Sequence, residues 1–379
     1  MRRSRAVALA AVVAATAAAS PVAAQRPTCF GRPATIVGGG NVRGTEGNDV
    51  IVTGEFDDYV KGLGGNDRIC SGGGEDRVLG GRGTDRVDAG AGSDFTIFGN
   101  KGPDVLLGGD GRDYLLGGGQ GDRLSGGRGD DQLNSEAGND EIAGGDGDDT
   151  VLGAAGDDVL DGGEGGTDTV WYTEGWHRYA YDAGSVTADL AAGRAIADDG
   201  SDTLAGFERL VGSAGDDELT GSAGPDFIDG LGGSDSIDGG AGDDVLRDDG
   251  EGFGETSHMS NGDDVVDGGD GSDTIDYGYR GVTVDLAADS ATGQGSDSLV
   301  SIENVGGNND PDTIRGDAAA NVLDGNRGDD TIEAGDGDDV VLGGWHDDGL
   351  DGGAGTDTLD GGRDTDSCVN GEDVSNCEM

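Results

Sequence analysis

The side chains that could do chemistry in this chain are carboxylates, and they recur at a fixed step. Aspartates fall every nine residues at Asp49, Asp58, Asp67, Asp76, Asp85 and Asp94. After one extra residue they resume at Asp104, Asp113, Asp122, Asp131, Asp140, Asp149 and Asp158, with Asp168 one residue late. A second block holds Asp217, Asp226, Asp235, Asp244, Asp264 and Asp273; a third holds Asp312, Asn321, Asp330, Asp339, Asp348, Asp357 and Asp366. Paired carboxylates can do acid–base work, but here the repeat itself accounts for the pairs. Grouped carboxylates hold hard cations. The only histidines are His177, His258 and His346, none at ligand spacing from another, so zinc, which wants His or Cys, is disfavoured.

The residues around each aspartate define the element that positions it. Two places after it stands a large aliphatic residue: Ile51, Val60, Ile69, Val78 and Val87 in the first run, Leu106 to Leu160 in the next, then Leu219, Ile228, Ile237, Leu246 and onward, with Thr96 and Cys368 as the departures. Two places before it stands Gly in most repeats, as in Gly65, Gly74, Gly83 and Gly129. Each nonamer therefore reads as a Gly-rich turn, where positive φ and close backbone approach are tolerated, followed by a very short strand. Its aliphatic residue points inward and its neighbours outward.

The bulk numbers agree with an unusual chain. Of 379 residues, 82 are Gly, 78 acidic and 23 basic, giving a formal net charge of −55. Low hydrophobicity with such charge ordinarily signals disorder, but a regular aliphatic register is the sign of a repeat architecture instead. The charge argues against nucleic acid, whose phosphates it repels, and against anionic membranes. It fits a cationic partner, of which metal ions are the simplest.

Copies such as Gly80-Gly81-Arg82-Gly83-Thr84-Asp85-Arg86-Val87-Asp88 and Gly144-Gly145-Asp146-Gly147-Asp148-Asp149-Thr150-Val151-Leu152 resemble the RTX-type (haemolysin-type) nonapeptide repeat, and the resemblance covers most of residues 44–366. It implies an all-β fold, a parallel β-roll or β-solenoid in which two nonamers make one coil. Asp49 then sits over Asp67 and Asp58 over Asp76. It also implies multiple Ca2+ ions held by the register aspartates and turn carbonyls of stacked turns, something on the order of ten to twenty sites. Turns with Phe56, Gln120, Asp310, Ala319, His346 or Asp364 in the Gly position are expected to be weaker. Without metal the carboxylates repel and the thin core offsets little of the ordering entropy, so folding is expected to be coupled to calcium binding.

Two segments interrupt the arrays and match each other. Val186-Thr187-Ala188-Asp189-Leu190, Ser201-Asp202-Thr203-Leu204 and Phe207-Glu208-Arg209-Leu210 parallel Val282-Thr283-Val284-Asp285-Leu286, Ser296-Asp297-Ser298-Leu299 and Ile302-Glu303-Asn304-Val305. They read as a duplicated unit whose strands continue the solenoid as wider coils. The first also carries an aromatic group, Trp171, Tyr172, Trp176, His177, Tyr179 and Tyr181, read as a loop packed over a thin core. The organisation expected is a leader at 1–24, a cap at 25–46, and a first array at 47–170. A spacer at 171–211 precedes a second array at 212–275, with an inserted loop at 247–261. A second spacer at 276–307, a third array at 308–366 and a cap at 367–379 complete it. The leader rests on Arg2, Arg3 and Arg5 before the apolar run Ala6 to Ala19 and the small residues Val22-Ala23-Ala24, a signal-peptide pattern too short to span a bilayer. Cys29, Cys70, Cys368 and Cys377 suit disulfides in a secreted chain. Pairing by proximity, Cys29–Cys70 and Cys368–Cys377, is one of three connectivities.

No H-E-x-x-H, G-x-S-x-G or G-K-[ST] motif occurs, and no non-repeat segment of catalytic size remains. The reading is a secreted, calcium-binding extracellular or surface scaffold without enzymatic activity, without nucleic acid or membrane insertion, and with its protein or glycan partner open. The alternatives are an adhesive, carbohydrate- or ice-binding solenoid, against which the mixed outward residues Arg68, Arg77, Arg86 and Gln132 argue, and a hydrolase with a site near the aromatic spacer.

Overall fold

The computed structural model describes residues 26–172, 184–247, 262–278, 280–293 and 295–377. The leader, the aromatic residues Trp176, His177, Tyr179 and Tyr181, and all of the inserted loop but Arg247 lie outside the described residues.

Alternation of aliphatic and outward residues makes strands, and the nine-residue step makes them stack. Val60 registers with Val78, and Ile69 with Val87, each 18 residues on in a parallel pair. Odd and even nonamers thus build two facing parallel ladders. Among the described residues the first holds 17 strands, from Asn41–Arg43 to Asp373–Ser375. It is open at both ends: Asn41–Arg43 pairs with Tyr59–Gly64, and Asp373–Ser375 with Thr358–Arg363. The second starts at Ile36–Val37 and ends at Ser367–Val369. The fold is a parallel β-solenoid. Its core is a single file from each ladder, Val60, Val78, Leu115, Leu133 and Val151 facing Ile51, Ile69, Val87, Leu106 and Ile142, all buried.

Three features differ from the sequence reading, and a fourth adds backbone detail to it. In the first array the strands are six residues long, as in Arg77–Arg82 and Arg86–Ala91, because the backbone of the first glycines continues the ladder. The extra residue between Asp94 and Asp104 is absorbed by Phe95, which is 54% exposed. The inward residue of that coil is therefore Ile97, paired with Val78 and Leu115, while Thr96 turns outward. The duplicated spacers do not simply widen the coil. Thr187–Asp189, Arg194–Ala197 and Gly200–Ala205 form an antiparallel meander within the second ladder, and Thr283–Asp285, Ser290–Thr292 and Ser296–Val300 repeat it. A left-handed residue, Gly193 at φ +65° or Asp289 at φ +53°, reverses the chain in each. Finally, Gln120, His346 and Asp364 stand in a glycine place at φ of +85°, +86° and +83°, a region that costs non-glycine residues energy.

Disulfides close both ends. Cys29 joins Cys70 of the third nonamer, and Cys368 joins Cys377. No described helix is long and apolar enough to cross a membrane.

Candidate metal centre

Each register aspartate stands at the point where a turn enters a strand, and its two oxygens face different tasks. Oδ1 accepts the backbone N–H of the aspartate one coil earlier: Asp49 N–H donates to Asp67 at 2.8 Å, Asp67 to Asp85 at 2.8 Å, Asp85 to Asp104 at 2.7 Å, Asp104 to Asp122 at 2.7 Å and Asp140 to Asp158 at 2.8 Å. The opposite edge does the same through Asp58, Asp76, Asp94, Asp113, Asp131, Asp149 and Asp168. Asp217, Asp235 and Asp264 continue one edge, Asp226, Asp244 and Asp273 the other, and Asp330, Asp339, Asp348 and Asp357 extend both in the last array. Asp49 stacks with Asp67 and Asp58 with Asp76, as the repeat predicted.

The second oxygen is the unusual one. Oδ2 of Asp67, Asp85, Asp94, Asp104, Asp113, Asp122, Asp131, Asp149, Asp158, Asp235, Asp244, Asp273, Asp330, Asp339, Asp348 and Asp357 is buried without a hydrogen-bond partner. Buried polar atoms are normally satisfied, so a whole file of unsatisfied ones points to a missing positive partner. Most face the first glycine of their own turn and a carbonyl of the next coil. Asp94 and Asp339 have Ala89 and Ala334 at that place instead, and the space at Gly153 in the turn of Asp158 is taken by the Tyr172 ring. A Cβ on Gly80 would lie 2.7 Å from Asp85 Oδ2 and 3.0 Å from the Gly99 oxygen. On Gly239 it would lie 2.6 Å from Asp244 Oδ2 and 2.5 Å from the Gly268 oxygen. At these two turns a side chain would intrude on an oxygen-lined cradle, whereas Ala89 and Ala334, both fully buried, place a methyl group at the same point of two other turns.

Electrostatics sharpen the point. Burial, the largest cause, raises the carboxyls of Asp131 and Asp235 to about 8, and those of Asp94, Asp104, Asp122, Asp158 and Asp330 to about 7. Neighbouring carboxylates raise most of them further. A cation in the cradle would reverse both effects. The donors are carboxylate and carbonyl oxygens only, and no three acidic, His or Cys side chains converge among the described residues. Such an all-oxygen, mostly backbone donor set suits calcium, which accepts six to eight oxygens in flexible geometry.

The aspartates named from sequence are not equivalent. Asp49 Oδ2 accepts from Thr45 N–H at 2.7 Å and Thr45 Oγ1 at 2.9 Å. Asp217 and Asp226 accept from the N–H groups of Ser213 and Ser222, and Asp312 from Asn308 N–H at 2.8 Å. Asp58 Oδ2 accepts weakly from Gly54 N–H at 3.4 Å. Arrays therefore begin with carboxylates already satisfied by their own turn. Asp76 and Asp140 have Ser71 and Ser135 in place of the glycine, yet their Oδ2 atoms are also buried without a hydrogen-bond partner. Ser71 Oγ donates to the Ala89 oxygen at 3.1 Å, and burial raises both carboxyls.

Sequence reasoning missed the acids that carry the register through the spacers. Asp158 N–H donates to Asp202 Oδ1 at 3.0 Å and Asp264 N–H to Asp297 at 3.2 Å. Glutamates take the place in three coils, Glu208 for Asp168, Glu303 for Asp273 and Glu372 for Asp357, at 2.8–3.0 Å. An acid two places before a buried aliphatic, as in Asp202-Thr203-Leu204 or Glu303-Asn304-Val305, was the available signal. At one spacer the cradle is plugged. The ring of Tyr172 fills the space at Gly153, where a Cβ would meet its Cε1 at 2.5 Å, and its hydroxyl donates to Asp202 Oδ2 at 3.1 Å.

A comparison with curated proteins finds no match. The family model of the RTX calcium-binding nonapeptide repeat matches residues 43–78, 71–95, 96–124, 116–151, 134–167, 211–246, 260–278, 306–341 and 327–359. These segments take in more than half of the chain and fall on the coils whose turns carry the carboxylate files. The chain belongs to the RTX calcium-binding nonapeptide repeat family.

Proposed function

We propose that the protein is a secreted scaffold whose coils set around calcium ions held between successive turns. The observation that carries this reading is the file of buried, unpartnered Oδ2 atoms, most of them opposite a glycine and a carbonyl of the next coil. When bound, calcium would supply the positive charge those oxygens lack. The chain's own residues do the rest. Oδ1 locks each coil to the previous one, Oδ2 and the turn carbonyls form the cradle, and the aliphatic file excludes water beneath it. Asp67, Asp85, Asp104 and Asp122 on one edge and Asp113, Asp131 and Asp149 on the other, each with glycine in its own turn, are the strongest ligands of the first array. Asp49, Asp58, Asp217 and Asp226 are weaker, because their oxygens are engaged locally. Tyr172 interrupts its column by occupying the cradle with a ring and a hydroxyl.

Within this reading no residue is needed for catalysis, since the ladder accounts for the paired acids. Export by the N-terminal leader is consistent with two disulfides. Metal counting on the purified chain tests the proposal. Protein dialysed against calcium should retain several ions, and Asp122→Ala together with Asp131→Ala should reduce the number. A chain that retains none, or a count indifferent to these substitutions, would remove it.

A further inference from the structure

The acidic excess is not spread evenly, and one face inverts it. Five consecutive strands of the first ladder, Asn41–Arg43, Tyr59–Gly64, Arg77–Arg82, Thr96–Lys101 and Tyr114–Gly119, contain no Asp or Glu. They carry Arg43, Lys61, Arg77, Arg82 and Lys101. Arg43 registers directly against Lys61, and Arg82 against Lys101. Like charges in such positions destabilise a sheet. None of the five appears in an ion pair among the described residues, in a chain with 78 acids to offer. Lys61 instead lies 4.6 Å over the Tyr59 ring. In the turns leading into two of these strands stand Phe56, 82% exposed, and Phe95, 54% exposed. They lie two coils apart, about 10 Å along the axis at the usual strand spacing.

We propose that this face docks on an anionic lipid headgroup surface, with Phe56 and Phe95 entering the interface. Unpaired cations on the strands, with protruding rings in the turns that enter them, match a surface that is anionic outside and apolar beneath. The exposed acids Glu55 and Asp57 flank Phe56 in its turn, and the strand cations outnumber them. Rings so exposed are not recessed for a shaped partner. The net charge of −55 does not oppose this contact, because charges beyond about 8 Å are largely screened at physiological salt. Most of the acidic excess lies in later coils.

The test is co-sedimentation of the full chain, with calcium and at physiological salt, with vesicles of phosphatidylcholine containing or lacking phosphatidylglycerol. Binding is expected only with phosphatidylglycerol. It should weaken about tenfold or more in a variant with Lys61→Gln, Arg77→Gln, Arg82→Gln and Lys101→Gln, and several-fold in Phe56→Ser with Phe95→Ser, the circular dichroism of both remaining that of the parent. Absence of binding overturns the proposal. So does binding that neither variant changes, which assigns it to calcium bridging by the acidic coils. Equal binding to dextran sulfate that ignores the Phe substitutions also overturns it, in favour of a soluble polyanion.

Discussion

The backbone N–H of Asp113 donates to Oδ1 of Asp131 at 2.8 Å, while Oδ2 of Asp131 is buried with no partner. One carboxylate therefore has two roles, a lock on the previous coil and an open donor toward the next. This division repeats along both edges and makes the structure dependent on whatever satisfies the second oxygen.

The glycine beside that oxygen gives a sharp contrast. Gly239→Ala would place a Cβ against Asp244 Oδ2 and the Gly268 oxygen, whereas Gly119→Ala meets nothing within 4 Å and needs no unusual φ. We expect Gly239→Ala to lower the calcium count and thermal stability, and Gly119→Ala to stay within about 0.5 kcal/mol of the parent. Metal counting and calcium-loaded melting on the two variants check this; equal behaviour contradicts the cradle.

Proton linkage follows from the raised carboxyls. Asp94 and Asp104 at about 7, and Asp131 and Asp235 at about 8, lie above the value near 4 of an unfolded aspartate. The metal-free roll thus binds protons more tightly than the unfolded chain. Its stabilisation is complete below about pH 4 and lost as pH rises through about 6–8. Calcium competes for the same oxygens, so its affinity falls on acidification over that window. Chelator-treated protein should hold more β-structure at about pH 5 than at about pH 8, and calcium should bind more weakly at the lower pH. The reverse order in either experiment contradicts the buried carboxylate files.

Tyr172 supplies a stoichiometric test. Its hydroxyl donates to Asp202 Oδ2 and its ring fills the space at Gly153. Tyr172→Ser should open that cradle and add one calcium ion to the count, while Tyr172→Phe, which keeps the ring, should add none. A gain in neither variant, with both folded, shows that the column is interrupted for another reason.

The disulfides differ in what they restrain. Cys29–Cys70 spans 41 residues and Cys368–Cys377 spans 9. Chain-entropy scaling gives about 4 and about 2.5 kcal/mol respectively. Hydrogen exchange should show greater fraying of the first coils in Cys29→Ser with Cys70→Ser than of the last coils in Cys368→Ser with Cys377→Ser.

Much of this is legible in the sequence. The inward file from Ile51 to Leu359 is buried throughout, because a strand's side-chain period leaves no freedom once Asp and aliphatic stand two apart. Phe95 broke that legibility locally: one inserted residue passed the inward place from Thr96 to Ile97, and spacing alone does not say on which side of Asp94 the insertion is absorbed. The spacers hid Asp202, Glu208, Asp297 and Glu303 because the nine-residue step fails there, although the acid-to-aliphatic pairing survives. Their antiparallel meanders depend on left-handed reversals at Gly193 and Asp289, which composition does not announce. Net charge, an average over the chain, concealed the cationic face around Arg77 and Arg82.

We propose that calcium completes this fold. Far-UV circular dichroism of the full chain, titrated with calcium, then with a chelator, and separately with magnesium, tests it most directly. We predict a reversible gain of β-structure with calcium, lost on chelation and not produced by magnesium. A β spectrum that persists unchanged in chelator, with the disulfides reduced and at neutral pH, would contradict the account.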